Sequence, residues 1–151
     1  MKSRRSALAV VVICVTLLAV TVGAQVTRSY RNGSVWGIAF VRVKPGMDEA
    51  YMEYVAGQWK AMQEAQKQAG LILSYKVLTT EGHSSTDWNM MLMTEYKDLA
   101  SMEANEDKSE EVTMKVSGDE KKQMQGYRER SEIREAMGYR LARELVLEPK
   151  R

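Results

Sequence analysis

The sequence predicts an α+β fold: one four-stranded antiparallel sheet with its helices on one face. Three observations carry this. Residues 35–79 read as strand, turn, helix, strand; Trp88–Tyr96 alternates as a third strand; and a run of alternating residues from Tyr139 to Leu147 closes the chain before Pro149. None of these segments carries a catalytic signature, so the pattern specifies a fold far better than a reaction.

The chain opens on Lys2, Arg4 and Arg5, continues with the apolar run Ala7 to Val22, and reaches the small-residue pattern Val22-Gly23-Ala24. This is the form of a secretory signal peptide covering residues 1–24 and cut before Gln25. The run falls short of the roughly 20 apolar residues that a membrane span needs, and a cleavage-like site follows it, which argues against a transmembrane anchor. The only cysteine, Cys14, lies inside that run without a lipobox before it. The expectation is an exported protein, periplasmic or secreted, with no membrane attachment after cleavage.

Removing the signal changes the charge. Three of the 22 basic residues and none of the 20 acidic ones lie in residues 1–24, so the remaining 127 residues carry 19 against 20. A mature chain near neutrality has no basic surplus to recommend nucleic acid as a partner. It also has no cysteine, so neither disulfide nor thiol chemistry contributes. Its length suits one domain with one core.

Residues 25–34 are polar, with Asn32-Gly33 as a turn signal, and read as a flexible leader or short edge segment. The domain itself is expected over residues 35–148. In its first strand Trp36, Ile38 and Phe40 alternate with Val35, Ala39, Val41 and Val43, so both faces are apolar. Pro45-Gly46 breaks the strand. Asp48 and Glu49 suit the positive start of a helix, Tyr51, Val55, Trp59, Met62 and Ala69 recur at helical spacing, and Gly70 stands at the C-cap. A second strand runs to Thr79, residues 81–87 form a loop, and the third strand places Trp88, Met90, Leu92, Thr94 and Tyr96 on one side. A short helix follows Asp98. Residues 105–137 read as a helical insert: an acidic, solvated stretch to Val116, then a Ser117-x-x-Glu120 capping box starting a helix that ends at Gly138. The last strand follows that glycine.

This order is the split β-α-β, or ferredoxin-like, pattern, with the first and third strands in the middle of the sheet. Its uncovered face stays apolar whichever way the helices pack, so a homodimer closed through the sheets is expected.

The phrases VWGIAFVRVKPGMDEAYMEYV, DWNMMLMTEYKDLASMEA and GYRLARELVLEPK resemble the dimeric α/β-barrel superfamily, which includes antibiotic-biosynthesis monooxygenase-like and NIPSNAP-like proteins. The resemblance spans about 35–148 and rests on element order and on short phrases such as V-x-P-G. It implies two sheets packed face to face and a pocket between each sheet and its own helices. It does not imply an enzyme.

Candidate ligand-binding residues are Trp36, Arg42, Tyr75, His83 and Trp88. Cofactor-free monooxygenases of the resembled superfamily use pocket Trp, Tyr, Asn or His groups; core packing is the competing role for both tryptophans. Arg42, Lys76 and Arg143 suit an anionic ligand or ion pairs with Glu95 and Glu144. His83 is the only histidine and stands in a polar loop, where an exposed side chain is the ordinary outcome. The acidic set Glu106, Asp107, Glu110 and Glu111 lacks the alternation and central glycine of a calcium loop, so no metal and no cofactor is expected. The leading expectation is a pocket between sheet and helices for a small organic molecule, and two classes stand open. A cofactor-independent oxygenase, monooxygenase-like, or an isomerase-like enzyme is favoured if a closed pocket holds Trp36 or Trp88 beside a polar group; a non-catalytic dimeric binding or assembly domain is favoured if the space between sheet and helices is filled by side chains.

Overall fold

Strand β1, Tyr30–Val43, is the middle of the molecule because it pairs on both edges. The computed structural model describes residues 28–81, 84 and 86–148, so the signal read at 1–24 and the loop histidine His83 lie outside the described residues. Along Tyr30–Leu147 the order is β1; helix α1, Asp48–Tyr54; a π-helical segment, Val55–Trp59; α2, Lys60–Gln68; β2, Ser74–Thr79; β3, Met90–Tyr96; α3, Leu99–Ala104; α4, Glu106–Ser117; α5, Glu120–Ser131; and β4, Arg134–Leu147. The sheet is fully antiparallel in the order β2-β3-β1-β4. This is the ferredoxin-like α+β arrangement, with β1 and β3 central as expected.

Strand alternation divides the sheet. Ala39, Val41 and Val43 of β1, with Met90 and Leu92 of β3, meet Tyr51, Val55 and Trp59 from the first helical stretch to form the core. Ile133, just before β4, packs on its margin. The other set, Trp36, Ile38 and Phe40, lies in register with Glu95, Met93 and Met91 of β3 on the opposite face. The helices pack on the core side: Gln63 bonds Thr94, Gln66 bonds Thr113 of α4, and Arg130 of α5 covers Tyr54.

Four boundaries differ from the sequence reading. First, β1 begins at Tyr30, so part of the segment read as a leader is strand. The Asn32-Gly33 signal marks a register shift in this strand instead of a turn, and a side chain at Gly33 would come within 2.6 Å of the Glu144 carboxylate.

Second, Ser117 does not cap a helix. It is the buried last residue of α4, Gly118 at φ +85° ends that helix, and the cap of α5 is Asp119, whose carboxylate accepts from the Lys122 amide at 2.9 Å. A serine and an aspartate two residues apart both satisfy cap chemistry, and the left-handed glycine between them selects the second.

Third, the helix expected to reach Gly138 ends at Ser131, because Arg134, Glu135 and Ala136 pair with Val43, Arg42 and Val41. Tertiary pairing overrides the helix propensity of Arg-Glu-Ala-Met. Met137 is the extra residue of a bulge, beside Gly138 at φ +141°.

Fourth, Trp88 precedes β3 and leaves its parity. It packs on Phe40, with ring centroids 4.9 Å apart, on the face away from the helices. Asn89 holds this turn by accepting from the Val43 amide at 2.9 Å.

Asp119→Ala should lower stability by about 1 kcal/mol through loss of the cap, while Asp119→Asn should retain most of it. Chemical denaturation midpoints of the two variants provide the check; coincidence of the alanine variant with the parent would show that the cap contributes nothing.

Candidate functional site

The sheet face away from the helices gathers three of the five residues singled out from sequence. Trp36, Ile38 and Phe40 form its central column, and Met91, Met93 and Leu78 extend it across β3 and β2. Charged groups border this patch. The Lys76 ammonium stands 4.9 Å from the centroid of Trp36, a cation–π distance. Arg42 pairs with Glu135 across the β1–β4 ladder. This corrects the expected partners of the strand cations: Glu95 is bonded by Ser74 and Glu144 by Ser34. Trp88 closes one end of the face over Phe40. An apolar centre ringed by polar groups is the anatomy of a contact surface.

Tyr75 lies on the other face. Its ring stands edge-on to Trp59, 5.5 Å between centroids, and its hydroxyl donates to Glu64 of α2. That hydrogen bond, more than burial or the nearby negative charge, pushes the Tyr75 hydroxyl above its ordinary pKa. Trp36, Arg42 and Trp88 therefore share a surface, Tyr75 is separated from them by the sheet, and His83 lies outside the described residues.

The middle of the space between sheet and helices is filled by the core cluster of Val41, Val43, Tyr51, Val55, Trp59, Met90 and Leu92. What opens is a cleft of about 480 Å³ at its edge, where Leu71, Tyr96 and Met102 supply apolar surface and Asn105 and Ser109 supply polar atoms. Glu103, Glu106 and Glu110 also line it. Among the described residues no group of three or more His, Cys, Asp or Glu side chains is placed to hold a metal.

Behind Tyr96 the chain makes a close approach. The side chains of Tyr96 and Tyr139 converge across β1, and partial burial raises the pKa of both phenols. Gly37 lies beneath them, where a Cβ would meet the Tyr139 hydroxyl at 2.1 Å. Any side chain at that position would displace the pair. The sequence reading named none of these three as site residues, although a glycine inside an apolar strand is the usual sign of such an approach.

No protein-family model matches the chain, and no curated protein matches it. Among solved structures it is similar to an ethyl tert-butyl ether d (ethd) family protein from Bacillus halodurans, at 16% identity, over 74% of this chain and 98% of that one, with a TM-score of 0.41. It is also similar to a dimeric protein of unknown function and ferredoxin-like fold from Bacteroides fragilis, at 14% identity, over 78% and 98% of the two chains, with a TM-score of 0.33. Both scores are low, and the fold assignment rests on the strand order.

Glu64→Gln should return the Tyr75 hydroxyl toward its ordinary pKa, because the anionic acceptor that favours the protonated phenol is gone. Ultraviolet difference titration of the parent, Glu64→Gln and Tyr75→Phe isolates this phenol. An unchanged Tyr75 titration in Glu64→Gln would show that the hydrogen bond does not set it.

Proposed function

We propose that this chain is an exported, self-associating binding domain: two copies close their open sheet faces on each other, and each carries a cleft beside Tyr96 for a small organic molecule. The observation behind this is the apolar column Trp36, Ile38 and Phe40, flanked by Met91, Met93 and Leu78, on the side of the sheet opposite the helices. A monomer rarely leaves such a surface in water. Four strands about 4.8 Å apart and about seven residues long at 3.3 Å each present a face of roughly 19 by 23 Å. A stable interface buries about 800 Å² per partner; the flat projection of this face is roughly half of that, and the relief of its side chains, the Trp88 turn and the further length of β1 and β4, 14 residues each, add to it. A second copy presents the same face, and a two-fold axis satisfies both at once.

The filled core under the sheet favours a binding role over an enclosed reaction chamber. A monooxygenase-like reading depends on the same dimer, since only a partner sheet would enclose Trp36 and Trp88.

The mature protein should sediment as a dimer at micromolar concentration, and Phe40→Glu should weaken association about 100-fold or more, roughly 3 kcal/mol, while leaving each subunit folded. Val41→Glu places its charge in the core instead and should unfold the chain. A monomeric parent protein, or a dimer indifferent to Phe40→Glu, overturns the arrangement. Export is checked separately: mass spectrometry of protein from the periplasm or medium should find Gln25 at the N-terminus, and a membrane-bound form retaining Met1 would refute cleavage.

A further inference from the structure

A second, smaller cleft lies on the helix side, away from Tyr96, where the π-helical segment faces α4 and α5. It measures about 200 Å³. Helix α1 passes into α2 through this segment, in which the Lys60 amide reaches back five residues to the Val55 carbonyl. Such single wide turns recur at functional sites. Tyr54, Trp59 and Met62 give the cleft an apolar wall, and Gln58 and Ser117 give it hydrogen-bonding groups.

Its charge is one-sided. The ionised side chains lining it are Lys122 and Arg130, with no carboxylate among the lining residues. Arg130 is held in place: its guanidinium carbon stands 4.4 Å from the centroid of Tyr54, and the group folds back over Gly126, where a Cβ would come within 2.9 Å of a terminal nitrogen. Its Nε is buried and has no hydrogen-bond acceptor. Arg134, over the ring of Tyr127 at 5.1 Å, has the same unsatisfied Nε. A buried donor without an acceptor carries a desolvation cost that nothing in the chain offsets, and guanidinium is the group best shaped to hold a planar carboxylate.

We propose that this cleft binds a small organic carboxylate, its anionic end on Arg130 and Lys122 and its short apolar body against Tyr54, Trp59 and Met62. The volume of about 200 Å³ admits a molecule of benzoate size. Two cleft groups are already committed and act as walls: Thr113 accepts from Gln66 and donates to the Ser109 carbonyl, and Gln123 donates to the Gly118 carbonyl. That leaves the two cations, beside Gln58 and Ser117, to hold the anion.

The test is calorimetric titration of the mature protein with sodium benzoate, beside inorganic phosphate and benzylammonium chloride, with amide shifts followed by NMR. Benzoate should bind and move the amides of Gln58, Ser117 and Gln123. Arg130→Gln should weaken it about tenfold or more, the scale of one charge-assisted hydrogen bond, and Lys122→Gln less. Gly126→Ala is the sharper variant: it keeps every charge and improves helix propensity, so the fold should be as stable as the parent or more so, yet affinity should fall because Arg130 is displaced. Absence of benzoate binding at millimolar concentration overturns the proposal. So does equal binding of benzylammonium, tighter binding of phosphate, or a Gly126→Ala variant with unchanged affinity.

Discussion

The structure depends on β1 being apolar on both faces while pairing on both edges. Val35 and Val41 are 2% and 3% exposed on the helix side, and Trp36, Ile38 and Phe40 occupy the intervening positions. At roughly 25 cal/mol per Å² of apolar area, each face is worth several kcal/mol only if something covers it. The first helical stretch covers one. Its Tyr51, Val55 and Trp59 recur every four residues and meet Val41, Val43, Met90 and Leu92. The same alternation that makes that core good leaves the second face equally apolar, and the chain has spent its described helices on the first. The proposed self-association thus rests on strand parity before it is a matter of function.

Much of this was legible because it is local. Alternation in β1 and β3, Pro45-Gly46, and Gly70 at φ +71° are signals read within a few residues. The misreadings fall where a distant partner decides. Arg134 to Ala136 look helical alone and become strand because Val41 to Val43 offer an unpaired edge. Ser117 and Asp119 are equivalent as caps until the turn at Gly118 assigns them. The π segment has no residue signature beyond an exposed Gly57, and its wide turn is a matter of helix packing.

The candidate residues divide in the same way. Parity alone puts Trp36 and Arg42 on one face, but the tryptophan before β3 follows the turn at Asn89 and not the strand, which is how Trp88 comes to Phe40. Tyr75 is placed on the opposite face by the pairing of β2 with β3, a register fixed by residues almost twenty positions away. The linings of the two clefts were beyond sequence reading, since each brings together side chains of elements that meet only after folding.

The start of β4 ties the two faces together. Glu135 faces Arg42 on the open side, while the residue before it, Arg134, lies over Tyr127 on the helix side, and Ile133 seals the core margin. The Lys44 amide fixes this corner by donating to the Ile133 carbonyl at 3.0 Å. Tyr51 lies beneath it, 1% exposed, with its hydroxyl pushed up to about 12 by burial despite the nearby positive charge of Arg134 and Arg130. Beside it the Nε atoms of Arg130 and Arg134 are buried without an acceptor, and a buried donor left unpaired is costly, whereas the exposed Arg42–Glu135 pair costs little and contributes little. The energetic tension of the fold therefore sits on the helix side, among the arginines, while the open sheet face poses only the simpler problem of apolar surface.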